Sequence, residues 1–170
     1  MAGELVERHA GARDLVIVAV RRGGIVIASE LVRWLRELEQ YEPPLGSVDV
    51  TFYRDDASTA KPNPRIGPSD VPCSLDGRHV LLVDDVLHTG RTVRAAIDAL
   101  MDYGRPRLVE LAVLVDRKGR QLPIQADYFL KAEAIADEDR IDVFADATGI
   151  TAVVQSKSAA SIPPGSVTPH

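Results

Sequence analysis

Sulfur chemistry is nearly absent from this chain, which carries one cysteine, Cys73. A single thiol cannot close an internal disulfide or build a thiolate metal cluster, so neither covalent staples nor a cysteine-bound metal hold the fold. Long apolar runs are missing as well: no stretch approaches the roughly 20 residues that a membrane-spanning helix needs. The first residues lack the basic-then-apolar order of a secretory signal, and the expectation is a cytoplasmic protein. There are no internal repeats or heptads, no G-x-x-x-x-G-K-[ST] triphosphate loop and no G-x-G-x-x-G dinucleotide fingerprint. No nucleophile triad and no metal-ligand cluster stand out. The net charge of −5 argues against a surface that tracks nucleic acid throughout, while leaving room for a local basic patch.

What is present is enough apolar residue for one ordinary core: 45% of 170 residues. The chain is organised around Val80-Leu-Leu-Val-Asp-Asp-Val-Leu-His-Thr-Gly-Arg-Thr92. Val80 to Val83 is a short, continuous apolar run, the pattern of a strand buried on both faces of a parallel sheet. It ends on two adjacent carboxylates, Asp84 and Asp85. A Thr89-Gly90 turn follows, then a helix from about Arg91 with Val93, Ala96, Ile97 and Leu100 on one face and Gly104 at its stop. Strand, glycine turn and helix N-terminus make an anion site, because free backbone N–H groups and the helix dipole converge there. An acid pair or a Thr-Gly turn alone would be ordinary capping chemistry. In this order they predict a phosphate cradle, residues Leu87, His88, Thr89, Gly90, Arg91 and Thr92, beside a carboxylate pair.

The same device occurs earlier. Leu15 to Val20 reads as a central strand, Arg21-Arg22-Gly23-Gly24 as a glycine turn, and Ile25 to Leu38 as an amphipathic helix. Taken alone, the two arginines fit a solvated turn equally well. Glu4 to Ala10 reads as a short helix. Val48 to Tyr53 alternates like a strand, and Arg107 to Val115 is another apolar strand. Ala126 to Leu130 and Ile141 to Phe144 read as edge strands around an acidic turn. Arg54 to Leu75, rich in Pro, Asp and Ser and without period, reads as a long loop of the kind that serves as a lid. Residues 1–150 are expected to form the domain and residues 151–170 a mobile tail.

Four apolar positions, two acids and Val-Leu-x-Thr-Gly-Arg-Thr resemble the phosphoribosyl pyrophosphate signature of type I phosphoribosyltransferases. Thr51-Phe-Tyr-Arg-Asp-Asp56, Gly104-Arg-Pro106, Leu111-Ala-Val-Leu-Val-Asp-Arg117 and Leu122-Pro-Ile-Gln-Ala-Asp-Tyr128 are similar to one family within that group. That family is the bifunctional pyrimidine-operon attenuator and uracil phosphoribosyltransferase.

The resemblance implies an α/β fold with a mainly parallel sheet of four or five strands and helices on both faces. It implies transfer of the 5-phosphoribosyl group from phosphoribosyl pyrophosphate to a nucleobase, with uracil giving UMP. Arg21, Arg22, Gly23 and Gly24 would hold pyrophosphate, and Leu87 to Thr92 the 5′-phosphate. Asp84 and Asp85 would face the ribose hydroxyls, directly or through Mg²⁺, and Arg54, Arg117 and Arg120 would border the base and pyrophosphate. A homodimer or higher assembly is the family's habit.

The chain departs from the family's pattern in four places. Gly23 stands where the family's pyrophosphate loop has arginine, and Arg22 where it has threonine. Only Met1 to Ala10 precede Gly11, where the family has a longer segment with a basic helix. The hood over the base is reduced to Phe129 to Asp137. Gln125 replaces an arginine of the family's RNA face. The expectation is therefore catalysis with weak RNA binding. A nucleotide-sensing RNA regulator and a purine phosphoribosyltransferase are the alternatives.

Overall fold

A strand with both faces apolar is stable only if helices cover both faces. The computed structural model, which describes residues 1–21, 23–50, 69–133, 140–146 and 149–155, is built on that condition. Strand β1 (Leu15–Val20) is buried at every position, and β3 (His79–Leu87) begins with six buried residues. With β2 (Leu45–Val48), β4 (Leu108–Arg117) and β5 (Tyr128–Glu133) they form a five-stranded sheet in the order β2-β1-β3-β4-β5. Every pairing in it is parallel.

Alternate residues of the strands serve two separate cores. Ile17, Ala19, Leu81 and Val83 pack against Ile27, Leu31 and Leu35 of helix α2 (Gly24–Glu39) and Leu5 of α1 (Ala2–His9). Val16, Val18, Val80 and Leu82 pack against Val93, Ala96 and Leu100 of α3 (Arg91–Leu100). Each fully buried Leu or Val contributes about 1.5–3 kcal/mol relative to exposure, so stability resides in the sheet centre. The turns at its carboxyl edge are left free for chemistry.

Several boundaries differ from expectation for identifiable reasons. β2 covers Leu45–Val48 because its partner sets it: Ile17 pairs with Leu45 and Val20 with Val48. The alternating stretch beyond Val48 does not continue the ladder at Asp49 and Val50, and residues 51–53 lie outside the described set. Of the expected lid, residues 54–68 lie outside it too. Residues 69–75 are anchored: Asp70 exchanges two backbone hydrogen bonds with Ser47 (2.6 and 2.8 Å). Leu75 is fully buried.

β4 runs two residues past Val115, through Arg117, because β5 pairs with it up to Arg117 opposite Glu133. β6 (Arg140–Asp146) and β7 (Gly149–Gln155) form a separate antiparallel pair. The domain end expected at residue 150 therefore cuts through a strand. Ile150 and the apolar residues after it find a ladder partner in β6, and residues 156–170 lie outside the described set.

Candidate active site

The parallel register brings the carboxyl ends of β1 and β3 side by side, with Ala19 opposite Val83. The turns that follow both strands therefore emerge at one edge of the sheet. Their contact depends on two glycines. A Cβ on Gly23 would lie 2.0 Å from Asp85 Oδ2, and one on Gly24 would lie 2.2 Å from the Val83 carbonyl oxygen. Only a backbone without side chains can approach the acid pair this closely.

The acids themselves sit inside β3, not after it. Asp84 is opposite Val113 of β4, and the ladder continues to Leu87 opposite Asp116. Asp84 is buried, at 5% exposure. Its Oδ1 accepts the Asp85 amide at 2.9 Å, and Asp85 Oδ1 accepts the Val86 amide at 2.8 Å. Each carboxylate is thus oriented by the amide of the following residue, and strand placement gives the pair a rigid base.

Both helices that start at this edge are capped by glycine: Gly23 for α2 and Gly90 for α3. Glycine has no side-chain acceptor, so apart from the Arg91 amide, which reaches Thr89 Oγ1 at 3.4 Å, the first-turn amides keep their capacity to bind an anion. Gly90 adopts φ 91°, a left-handed conformation that residues with a Cβ rarely tolerate. Its turn is braced from the β4–β5 loop. The Thr89 carbonyl accepts the amides of Gln121 (3.0 Å) and Leu122 (3.2 Å), and Arg91 Nε donates to Gln121 Oε1 at 3.0 Å. Gln121 carried no signal in the sequence that would mark it as part of this turn.

The remaining expected residues divide by position. His88, Thr89, Arg91 and Thr92 are half-buried around the turn, whereas the Leu87 side chain belongs to the core at 1% exposure. Arg21 Nε donates to Ser47 Oγ at 3.1 Å. Arg117 closes β4 with its side chain buried at 6% exposure. Arg120 donates to the His88 carbonyl and pairs with Asp116, so it braces the turn from behind. Arg22 and Arg54 lie outside the described residues.

A second cluster sits at the opposite, amino end of the sheet. His9 and His79 both direct Nε2 at Glu110 Oε2, at 2.7 and 2.8 Å, and Tyr128 donates its hydroxyl to the same oxygen at 3.2 Å. Burial is the main force lowering the His79 pKa, favouring the neutral ring, and it pushes the Tyr128 phenol up to about 12. Among the described residues, His9, His79 and Glu110 thus form a group of potential metal ligands where the sequence offered no metal-ligand cluster. With Tyr128 they come from α1, β3, β4 and β5, and their separations of 31 and 101 positions leave no spacing motif to read.

Two helix starts with glycine N-caps flank an oriented acid pair on a five-stranded parallel sheet, and the fold is that of a type I phosphoribosyltransferase. The family model described as the phosphoribosyl transferase domain matches residues 1–148. Among solved structures, a Trypanosoma cruzi hypoxanthine phosphoribosyltransferase superposes with a TM-score of 0.62 at 23% identity, covering 79% of this chain and 71% of that one. A purine phosphoribosyltransferase from Pyrococcus horikoshii gives 0.56 at 27% identity, covering 78% and 77%. Closer in sequence is the bifunctional protein PyrR of Enterococcus faecalis, 53% identical over 125 residues, 74% of this chain and 70% of that one. The PyrR of Deinococcus radiodurans is 48% identical over 155 residues, 91% and 85% of the two chains. The chain belongs to the PyrR family of type I phosphoribosyltransferases.

Proposed function

We propose that this protein transfers the 5-phosphoribosyl group from phosphoribosyl pyrophosphate to uracil, releasing pyrophosphate and forming UMP. One observation carries the reading: the Gly23–Gly24 backbone packs directly onto Val83 and Asp85. That contact sets two uncapped helix N-termini around one carboxylate pair. A ligand with a phosphate at one end, a pyrophosphate at the other and a diol between them matches the arrangement group for group.

The Thr89–Thr92 turn and the α3 amides hold the 5′-phosphate. The α2 amides with Arg21 and Arg22 hold the pyrophosphate, and Asp84 and Asp85 receive the ribose hydroxyls. Two carboxylates offer hard oxygen donors and fit a hard divalent cation such as Mg²⁺. When bound, Mg²⁺ supplies charge neutralisation for the leaving pyrophosphate. The chain itself orients the ribose and presents fixed amide dipoles to the departing anion, which accounts for the acceleration by positioning and electrostatics. Arg117 and Arg120 act from behind, the first buried at the strand end and the second holding the His88 turn. Uracil follows from membership in the PyrR family together with the resemblance described above. The active form is a homodimer or higher assembly.

The test is ribose transfer from phosphoribosyl pyrophosphate to uracil, hypoxanthine and guanine in parallel, with Mg²⁺. Turnover with uracil alone is expected. Preference for hypoxanthine or guanine would make this a purine enzyme, and no turnover with any base would remove the catalytic assignment.

A further inference from the structure

The His9–His79–Glu110 cluster has no part in the chemistry at the carboxyl edge, yet its donors are aimed with unusual economy. Two imidazole nitrogens and a phenol hydroxyl converge on one carboxylate oxygen, at 2.7, 2.8 and 3.2 Å. A carboxylate oxygen offers about two lone-pair positions, so three donors over-subscribe it. The Tyr128 hydroxyl is also 3.2 Å from His9 Nε2. Ligand atoms of all three residues, His9, His79 and Glu110, lie within 4.8 Å of one another.

We propose that His9, His79 and Glu110 form a binding site for a zinc-class divalent ion at the amino end of the sheet. Two histidines and one carboxylate are a donor set that zinc accepts. With bonds of about 2.0–2.2 Å, a tetrahedral site separates neighbouring donors by about 3.3 Å. The two histidine–Glu110 separations, 2.7 and 2.8 Å, are about half an ångström shorter, so outward shifts of that size admit the ion and relieve the crowding on Oε2. The other carboxylate oxygen, Oε1, faces Arg8 Nη1 at 3.4 Å, which fixes the carboxylate plane so that Oε2 points at the histidines. The His9 and His79 rings stack at 4.3 Å between centroids, tilted by 49°. That packing holds both nitrogens on one side.

Access is available, because both histidines line a cavity of about 500 Å³ shared with Arg13, Glu39 and Arg107. The neighbouring arginines weaken a dication's hold, so the ion exchanges with chelators. Its effect is structural: α1 contributes His9, and the ion fastens that helix to β3 and β4.

The experiment is a Zn²⁺ titration of chelator-treated full-length protein against a chromophoric competitor, in excess Mg²⁺ to occupy the acid pair. Co²⁺ is used in parallel as a spectroscopic probe. One equivalent of Zn²⁺ is expected to bind and to raise the melting temperature. Co²⁺ should give tetrahedral visible bands without the thiolate charge-transfer band that Cys73 would produce. His9→Ala, at a partly exposed helix end, should lower Zn²⁺ affinity at least about 100-fold, and Tyr128→Phe about 10-fold. Both should leave uracil turnover in Mg²⁺ unchanged. His79→Gln serves as a second ligand variant, with circular dichroism to verify folding. Absence of Zn²⁺ binding in excess Mg²⁺, or equal affinity in wild type, His9→Ala and folded His79→Gln, would overturn the proposal.

Discussion

At the residue scale, the two glycines after β1 carry different burdens although they are adjacent. A Cβ on Gly24 meets the Val83 carbonyl, which is part of the central ladder and cannot move without disturbing the sheet. Gly24→Ala is therefore expected to destabilise the fold by about 1–3 kcal/mol, read as a lower urea midpoint at unchanged m-value. A Cβ on Gly23 meets the Asp85 side chain, whose carboxylate can rotate away but whose own Cβ, 2.8 Å off, must shift slightly. Gly23→Ala should lower the urea midpoint less than Gly24→Ala does, but lower kcat/KM, because the carboxylate is displaced from the ribose. Equal loss of stability in both variants would show that the two contacts do not differ in this way.

The acids give the complementary expectation. Asp84→Asn and Asp85→Asn keep shape but remove charge, and each should reduce kcat/KM by about 10²–10³-fold, the scale of a lost preorganised electrostatic contact. Unchanged rates in both would remove the pair from the site. These residues were legible in the sequence because their signal is local: acids, glycines and threonines at fixed offsets. What local chemistry could not show is that Asp84 and Asp85 lie within the ladder of β3, since that depends on β4 continuing beside them.

At the element scale, the sequence pattern served well where burial is two-sided. β1 is a continuous apolar run, β3 and β4 contain the runs Val80 to Val83 and Leu111 to Val115, and α2 and α3 carry clear apolar faces, so five of the elements around the site were readable. It served poorly where the partner sets the element. β2 contains Gly46 and Ser47, neither a strand former, and exists because β1 offers its edge. The β4–β5 loop is the more consequential case. Its Gln121 and Arg120 hold the Thr89 and His88 carbonyls from 30 or more positions away, through geometry no spacing encodes.

This bracing implies a further test. Arg120→Ala removes both the bond to the His88 carbonyl and the pair with Asp116. It should loosen the 5′-phosphate turn and raise the KM for phosphoribosyl pyrophosphate several-fold, with a smaller change in kcat. Each lost charge-assisted hydrogen bond is worth about 1.5–3 kcal/mol before relaxation. Arg120→Lys restores charge without the forked geometry and should recover little. A variant with unaltered KM would show that the turn stands without its brace.

At the scale of the whole molecule, the question is what the distribution of charge permits. A sequence-specific RNA regulator needs a preformed set of basic side chains to neutralise phosphates, and each contact steepens the salt dependence. This chain has a net charge of −5, and Gln125 stands where the resembled family carries a charge. Two of the arginines that could face RNA near the site are committed elsewhere: Arg117 is buried at 6% exposure, and Arg120 is engaged with Asp116 and His88. Arg105 and Arg107 near the start of β4 and the exposed Lys118 remain. Two or three phosphate contacts of that kind lose only about ten- to fortyfold in affinity between 50 and 200 mM salt, and they do not read sequence. The expected result is therefore weak, salt-sensitive, sequence-indifferent RNA binding, with catalysis as the main role. Filter binding of a pyrimidine-leader hairpin against a scrambled one, at physiological salt with and without UMP, measures this directly. Tight binding that prefers the true hairpin and strengthens with UMP would reverse the order of the two roles.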